Sequence, residues 1–154
     1  GTWLDKFRST SVAAIPERET IGEGSVPIVP TLNPMPKWKH NARLSVSDGP
    51  MVMSARWRYF GGVEDRRLNN TFVGLVRTPQ DPALFPNARI GAVNYVDLAA
   101  AFDATDKLQI NIGVNNLTNQ KPEVLGSLQE QANTFPGTYD VLGRDFFVGA
   151  RLQF

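Results

Sequence analysis

Charge along this chain is sorted by odd and even positions, and that sorting limits what it can fold into. A β-strand points successive side chains to opposite faces, so residues two apart share a face. Between Asn41 and Ser47 one set is Ala42, Leu44 and Val46, with Arg43 and Ser45 between them. From Met51 to Phe60 the apolar set is Met51, Met53, Ala55, Trp57 and Tyr59, and the other parity carries Arg56 and Arg58. From Asn94 to Asp103 it is Val96, Leu98, Ala100 and Phe102 against Asp97 and Asp103. From Leu108 to Asn115 it is Leu108, Ile110, Ile112 and Val114 against Gln109, Asn111 and Asn115. The stretch Gly143 to Phe154 sets Phe146, Val148, Ala150, Leu152 and Phe154 against Asp145, Phe147, Gly149, Arg151 and Gln153. None of the apolar sets contains a charge. Such a chain is all-β, and one face of each strand must rest on something apolar, either a protein core or lipid.

Composition narrows the partners more than the fold. With 154 residues and 42% hydrophobic content, the chain is long enough for one domain with a core. Its 16 basic and 15 acidic residues give no single-sign field, so nucleic acid is not an expected partner. Cysteine is absent, which excludes disulfides and thiolate chemistry. No run approaches the roughly 20 apolar residues of a membrane-spanning helix, so any passage through a bilayer is expected to use strands. The chain opens on GTWLDKF, without a Met start or signal-peptide pattern, and reads as part of a strand; Gly1 is expected to lie inside a longer parent.

The connections sort as cleanly as the faces. Strands are expected near 2–10, 38–47, 51–61, 92–103, 107–117 and 144–154. Tight turns at Ser47-Asp48-Gly49-Pro50 and Ala104-Thr105-Asp106 join two of the neighbouring pairs. Long connections near 11–37, 61–91 and 118–142 join the others, each about 25 to 30 residues and beyond the ~12 to 15 usual in compact domains. Short and long alternate, so an up-and-down antiparallel meander gathers every tight turn at one end and every long loop at the other. Outer-membrane barrels have this asymmetry. Trp38, Tyr59, Tyr95 and Phe146 then fall toward the long-loop ends of their strands, and Phe102 and Phe154 toward the short-turn ends, a rough aromatic girdle in which Tyr95 has the polar parity. The expected fold is an antiparallel up-and-down meander of about six strands, the C-terminal segment of a transmembrane β-barrel. The competing fold is a soluble β-sandwich binding module with its apolar sets in a protein core.

Several strings carry a family likeness. They are Pro36-Lys37-Trp38-Lys39-His40-Asn41, Arg56-Trp57-Arg58-Tyr59, Tyr95-Val96-Asp97-Leu98, Thr105-Asp106-Lys107-Leu108, Gly113 through Asn119, and Tyr139-Asp140-Val141-Leu142-Gly143-Arg144-Asp145-Phe146-Phe147, with Phe154 at the close. In order and spacing this resembles the C-terminal part of TonB-dependent outer-membrane receptors. The resemblance implies a large plugged barrel in the outer membrane of a Gram-negative bacterium that imports a scarce nutrient: an iron–siderophore, a cobalamin-like compound or an oligosaccharide. It implies as partners the outer-membrane lipid, the remaining barrel and plug of the parent, TonB acting through that plug, and the barrel-insertion machinery, for which Phe154 would be part of the assembly signal. Neither plug nor TonB-contacting box is present in these residues. A passive porin or an autotransporter-type barrel remains the alternative within the membrane reading.

Residues of functional interest follow from parity and loop position. Arg43, Arg56, Arg58, Asp97, Asn111 and Arg151 share the polar face and are expected to look into a wet barrel interior. Arg66 and Arg67 of the Glu64-Asp65-Arg66-Arg67 run, and Tyr139, are loop residues placed for ligand contact. His40 is the single histidine and, with no cysteine, suggests a rim residue rather than a metal ligand. No cofactor and no metal is expected. No nucleophile-elbow or triad setting exists, so binding rather than catalysis is expected.

Overall fold

The computed structural model describes residues 1–6, 8–9, 18–19, 23–24, 34–65, 71–73, 76–78, 89–124 and 134–154. In chain order its strands are β1 (Thr2–Trp3), β2 (Arg8–Ser9), β3 (Arg18–Glu19), β4 (Glu23–Gly24), β5 (Trp38–Asp48), β6 (Met51–Phe60), β7 (Val63–Asp65), β8 (Thr71–Val73), β9 (Val76–Thr78), β10 (Arg89–Ile90), β11 (Val93–Thr105), β12 (Leu108–Asn115) and β13 (Asp145–Leu152). Among the described residues there is no helix. Six strands make one antiparallel sheet in the order β1-β5-β6-β11-β12-β13, a meander that stays open and does not close into a barrel.

Register keeps the apolar parity together across the sheet. Leu44 faces Ala55, Ala55 faces Leu98 and Leu98 faces Val114, which in turn faces Phe146. Val46, Met53, Ala100, Ile112 and Val148 form the next row. A slip of one residue on any strand would carry its charged or polar residues into these rows, so the alternating pattern pins the pairing.

The tight turns explain why the long strands pair without offset. Asp48 pairs with Met51, so Gly49 and Pro50 are the two central residues; Gly49 takes φ 52°, the left-handed value such a turn requires at its first position. The second turn is centred on Asp106 and Lys107, one residue later than the expected Ala104-Thr105-Asp106. An irregularity between Asp103 and Thr105 absorbs the extra residue, and the Thr105 hydroxyl accepts the backbone N–H of Lys107 and of Leu108 at 3.3 and 3.1 Å.

The first strand is shorter than 2–10. Only Thr2 and Trp3 pair with β5, and Leu4 adds one backbone bond to Lys37; Arg8–Ser9 pairs instead with Arg18–Glu19. Trp3, Leu4 and Phe7 do not keep one parity, so no single face would hold a longer strand there; Phe7 lies outside the described residues. The long connections also contain ladders of their own. β10, β7 and β4 form a three-stranded sheet, and β8 pairs with β9.

Among the described residues, buried hydrophobic side chains cluster in one region, with Val114 of the apolar parity buried apart from it. Val63, Ile90, Val93, Tyr95, Phe135 and Tyr139 are buried together, with Phe60 packed against them, at the long-loop end and on the polar-parity side of β11. Phe60 meets Tyr95 and Tyr139 edge-on at centroid distances of 6.2 and 6.1 Å. The main apolar face has no such cover among the described residues. Leu44 is 70% exposed and Val148 80%, and Ile112, Phe146 and Leu152 are exposed as well. No second sheet stacks on them, so the two-layer packing of a sandwich is not seen among the described residues.

Candidate functional site

The polar face converges on Asp97. Its position on β11 places it opposite Arg56 of β6, with Arg58 one diagonal step away. Arg56 donates from Nε to Asp97 Oδ2 at 2.8 Å. Arg58 donates from Nε to Oδ2 at 2.9 Å and from Nη2 to Oδ1 at 2.8 Å, the two-pronged geometry that a planar guanidinium favours. The fourth bond comes from the Asn116 backbone N–H to Oδ1 at 2.8 Å. Asp97 is only 6% exposed, and its charge is tolerable there because each carboxylate oxygen has two donors. The Arg58 guanidinium also lies 4.9 Å from the centre of the Tyr95 ring.

Asn116 carries the network into the last long loop. It is fully buried, has φ 52°, and follows directly on the end of β12; Asn tolerates this left-handed value better than most residues. Its Nδ2 donates to Gln120 O at 2.8 Å and to Asp140 Oδ2 at 3.1 Å, and its Oδ1 accepts the Gln120 N–H. The other Asp140 oxygen accepts the N–H groups of Leu142 and Gly143, while the Asp140 N–H donates to the Tyr95 hydroxyl at 3.0 Å. Asn119, also left-handed at φ 55°, accepts the Arg144 N–H at 3.0 Å. Residues 116–119 thus clip both ends of the connection between β12 and β13, so the described part of that loop is anchored to the polar face of the sheet through Asp97.

The expected site residues divide into those brought together and those kept apart. Arg43 lies directly opposite Arg56, is exposed, and donates to Ser54 Oγ at 3.2 Å. Asn111 and Arg151 sit nearer the short-turn end: Asn111 pairs with Gly149, and Arg151 lies opposite Gln109, whose side chain donates to Asp103 at 2.7 Å. Arg66 and Arg67 lie outside the described residues. Tyr139 is placed in the core at 2% exposure rather than on the loop surface, and burial pushes its phenol above the ordinary tyrosine range, with neighbouring Tyr95 adding to the shift. Phe154 is fully exposed. The participants that parity reasoning passed over are Asn116, Asp140 and the Tyr95 hydroxyl. Two signals pointed toward them: the Asn-rich run after β12, suited to left-handed turns, and an aromatic of polar parity at Tyr95.

On the opposite face His40 belongs to an aromatic cluster. The Trp38 indole donates to His40 Nδ1 at 2.9 Å, and the imidazole stacks on Tyr59 at 5.2 Å and meets Trp57 edge-on at 4.3 Å. Among the described residues no three His, Cys, Asp or Glu side chains gather as a metal cage. The chemistry on show is ionic and hydrogen-bonding, suited to holding a polar occupant or a loop. No family model, no curated protein and no solved structure matches the chain.

Proposed function

We propose that the chain is a wall segment of an energy-coupled outer-membrane receptor of the TonB-dependent kind, which binds and imports a scarce nutrient such as an iron–siderophore, a cobalamin-like compound or an oligosaccharide. The observation that carries the reading is the uncovered apolar face, on which Leu44, Ile112, Phe146 and Val148 are exposed while the charges of the long strands lie on the other parity, save Asp48 beside the tight turn. A face of this size left to water would be an aggregation surface, whereas against hydrocarbon it is the outward band of a barrel.

Two further features support it. Beyond Lys39 the outer edge of β5 is unpaired among the described residues, as is the outer edge of β13; an open sheet with two bare edges calls for more strands. The polar face is ionic and half-shielded, as the side toward a plug and water would be. In this reading the long loops capture the nutrient, the plug of the parent is moved by TonB from the inner membrane, and the Arg56–Arg58–Asp97 face borders the path. The site performs no covalent chemistry.

Refolding the chain with bromine-labelled lipid vesicles tests the wall. Quenching of tryptophan fluorescence that accompanies formation of β structure is the expected result. Monodisperse, cooperative folding in plain buffer with the apolar face enclosed would overturn it. Growth of a strain lacking the parent gene, compared under iron, cobalamin and sugar limitation, tests import; no deficit under any limitation would remove the receptor reading while leaving the wall intact.

A further inference from the structure

The register places two arginines where they repel. Arg43 on β5 lies opposite Arg56 on β6, and Arg56 lies opposite Asp97 on β11, all on the polar face. Like charges directly opposite on neighbouring strands have Cβ atoms about 5 Å apart and destabilise the pair. Asp97 compensates only part of this. Its four acceptor positions are filled by one N–H of Arg56, two of Arg58 and the Asn116 backbone.

The donor count is uneven across the three arginines. Arg58 turns its two-pronged edge to Asp97, whereas Arg56 uses only Nε, and Arg43 gives one N–H to the neutral Ser54 hydroxyl. Among the described residues the remaining N–H groups of Arg43 and Arg56 have no acceptor, although a guanidinium carries several. The other carboxylates of polar parity on the long strands are engaged elsewhere, Asp103 by Gln109 and Asp145 by Asn115. Beside the two arginines the adjoining row has the small side chains Ser45, Ser54 and Ala99, and Phe147, which covers Gly113, stands at its far end, so the two guanidiniums are open to approach from above the sheet.

We propose that Arg43 and Arg56 form a seat for an oxyanion of the carboxylate or phosphate class, with Asp97 holding Arg56 in place and Arg58 committed to the loop network. The oxyanion neutralises the cross-strand repulsion and accepts the free N–H groups of both guanidiniums. Its source is either a free anionic solute or an acidic side chain of a segment covering the face; the chemistry is the same. The seat is a property of the sheet register and does not depend on whether the opposite face meets lipid.

The test follows arginine Nε–H resonances of the 154-residue chain in uncharged detergent micelles, or in buffer if it folds there, as inorganic phosphate and then succinate replace chloride at constant ionic strength. With a free solute as the source, Arg43 and Arg56 shift together and saturate in the low millimolar range, while Arg58 and Arg151 stay still. R43Q removes a single exposed contact, so the fold is retained; it weakens binding at least tenfold, R43K restores part of it, and R151Q has no effect. With a covering acidic segment as the source, phosphate competes only at much higher concentration, and R43Q moves the side-chain carboxyl carbon signal of one Asp or Glu other than Asp97. Absence of both responses, or equal movement of Arg151, overturns the proposal.

Discussion

The two parities of β11 show how one strand can be a core element on one side and a bare wall on the other. Val93 and Tyr95 are buried beneath Phe135 and Tyr139, while Leu98 and Phe102, a few residues along on the other parity, are 39% and 45% exposed. Hydrophobicity does not separate these residues; the availability of a covering segment does. The long-loop end folds chain back over the polar-parity side, and among the described residues nothing returns over the apolar side. A protein core is thus built at one corner, and the larger apolar area stays uncovered among the described residues.

Removing the core anchor is the most severe way to break this contrast. Tyr139→Ala takes a large buried ring from beneath the loop, and is expected to cost about 3–5 kcal/mol in denaturant unfolding, as other buried aromatic truncations do. A loss under 1 kcal/mol would mean that the corner is not a core. Next in size is a parity pair. Arg at Leu98, Ile110 or Val148 should cost about 2–4 kcal/mol each in a bilayer near its midplane, whereas Arg at Asn111 or Gly149 should be much milder. Unfolding titrations in lipid vesicles that gave equal losses at both parities would remove the distinction between wall and interior.

Two glycines sharpen the contrast within the polar face. A methyl group at Gly113 would run into the Phe147 ring and come 2.7 Å from the Leu98 carbonyl oxygen, while at Gly149 it meets nothing within 4 Å. Gly113→Ala is therefore expected to cost about 1–3 kcal/mol by overpacking and Gly149→Ala close to nothing, read from the same unfolding curves. Thermal or denaturant midpoints that moved equally would contradict the packing of Phe147 over β12.

The smallest effect is a pH dependence at Tyr139. Its hydroxyl is buried without a partner among the described residues, and burial favours the neutral phenol, so its folded pKa is raised. The folded state then holds the proton more tightly than the unfolded chain. The associated stability is fully present below the unfolded tyrosine value of about 10 and is lost as pH rises beyond it. Tyr139→Phe removes the unpartnered hydroxyl and should be near neutral at pH 7. It should also flatten the alkaline decline in an unfolding series followed about one pH unit either side of the unfolded tyrosine value of about 10; an unchanged slope would rule out Tyr139 as its source.

Much of this architecture is legible in residue order because period-two patterning and turn chemistry are local. The charge-free sets of β5, β6, β11, β12 and β13 determine the faces, and Asp48-Gly49 determines one hairpin. The same locality accompanies the shift of the second turn: the Thr105 hydroxyl accepts the Lys107 and Leu108 N–H groups, and the turn is centred on Asp106 and Lys107. For the candidate site, parity alone put Arg43, Arg56, Arg58 and Asp97 on one face. It could not say that Asn111 and Arg151 would lie far along the strands from Asp97, because that separation depends on strand register.

What residue order determined by itself is the β class, the two faces and the alternation of tight turns with long connections, all of which follow from side-chain direction and backbone preference over a few positions. Only tertiary structure decided that Asp97 would be saturated by three residues, two on β6 and one just after β12, that Asn116 and Asp140 would tie the last loop to it, and that Tyr139 would turn inward. Those outcomes depend on contacts between residues as many as 45 positions apart, as in the Tyr95–Asp140 bond, and no local preference encodes which distant groups will meet.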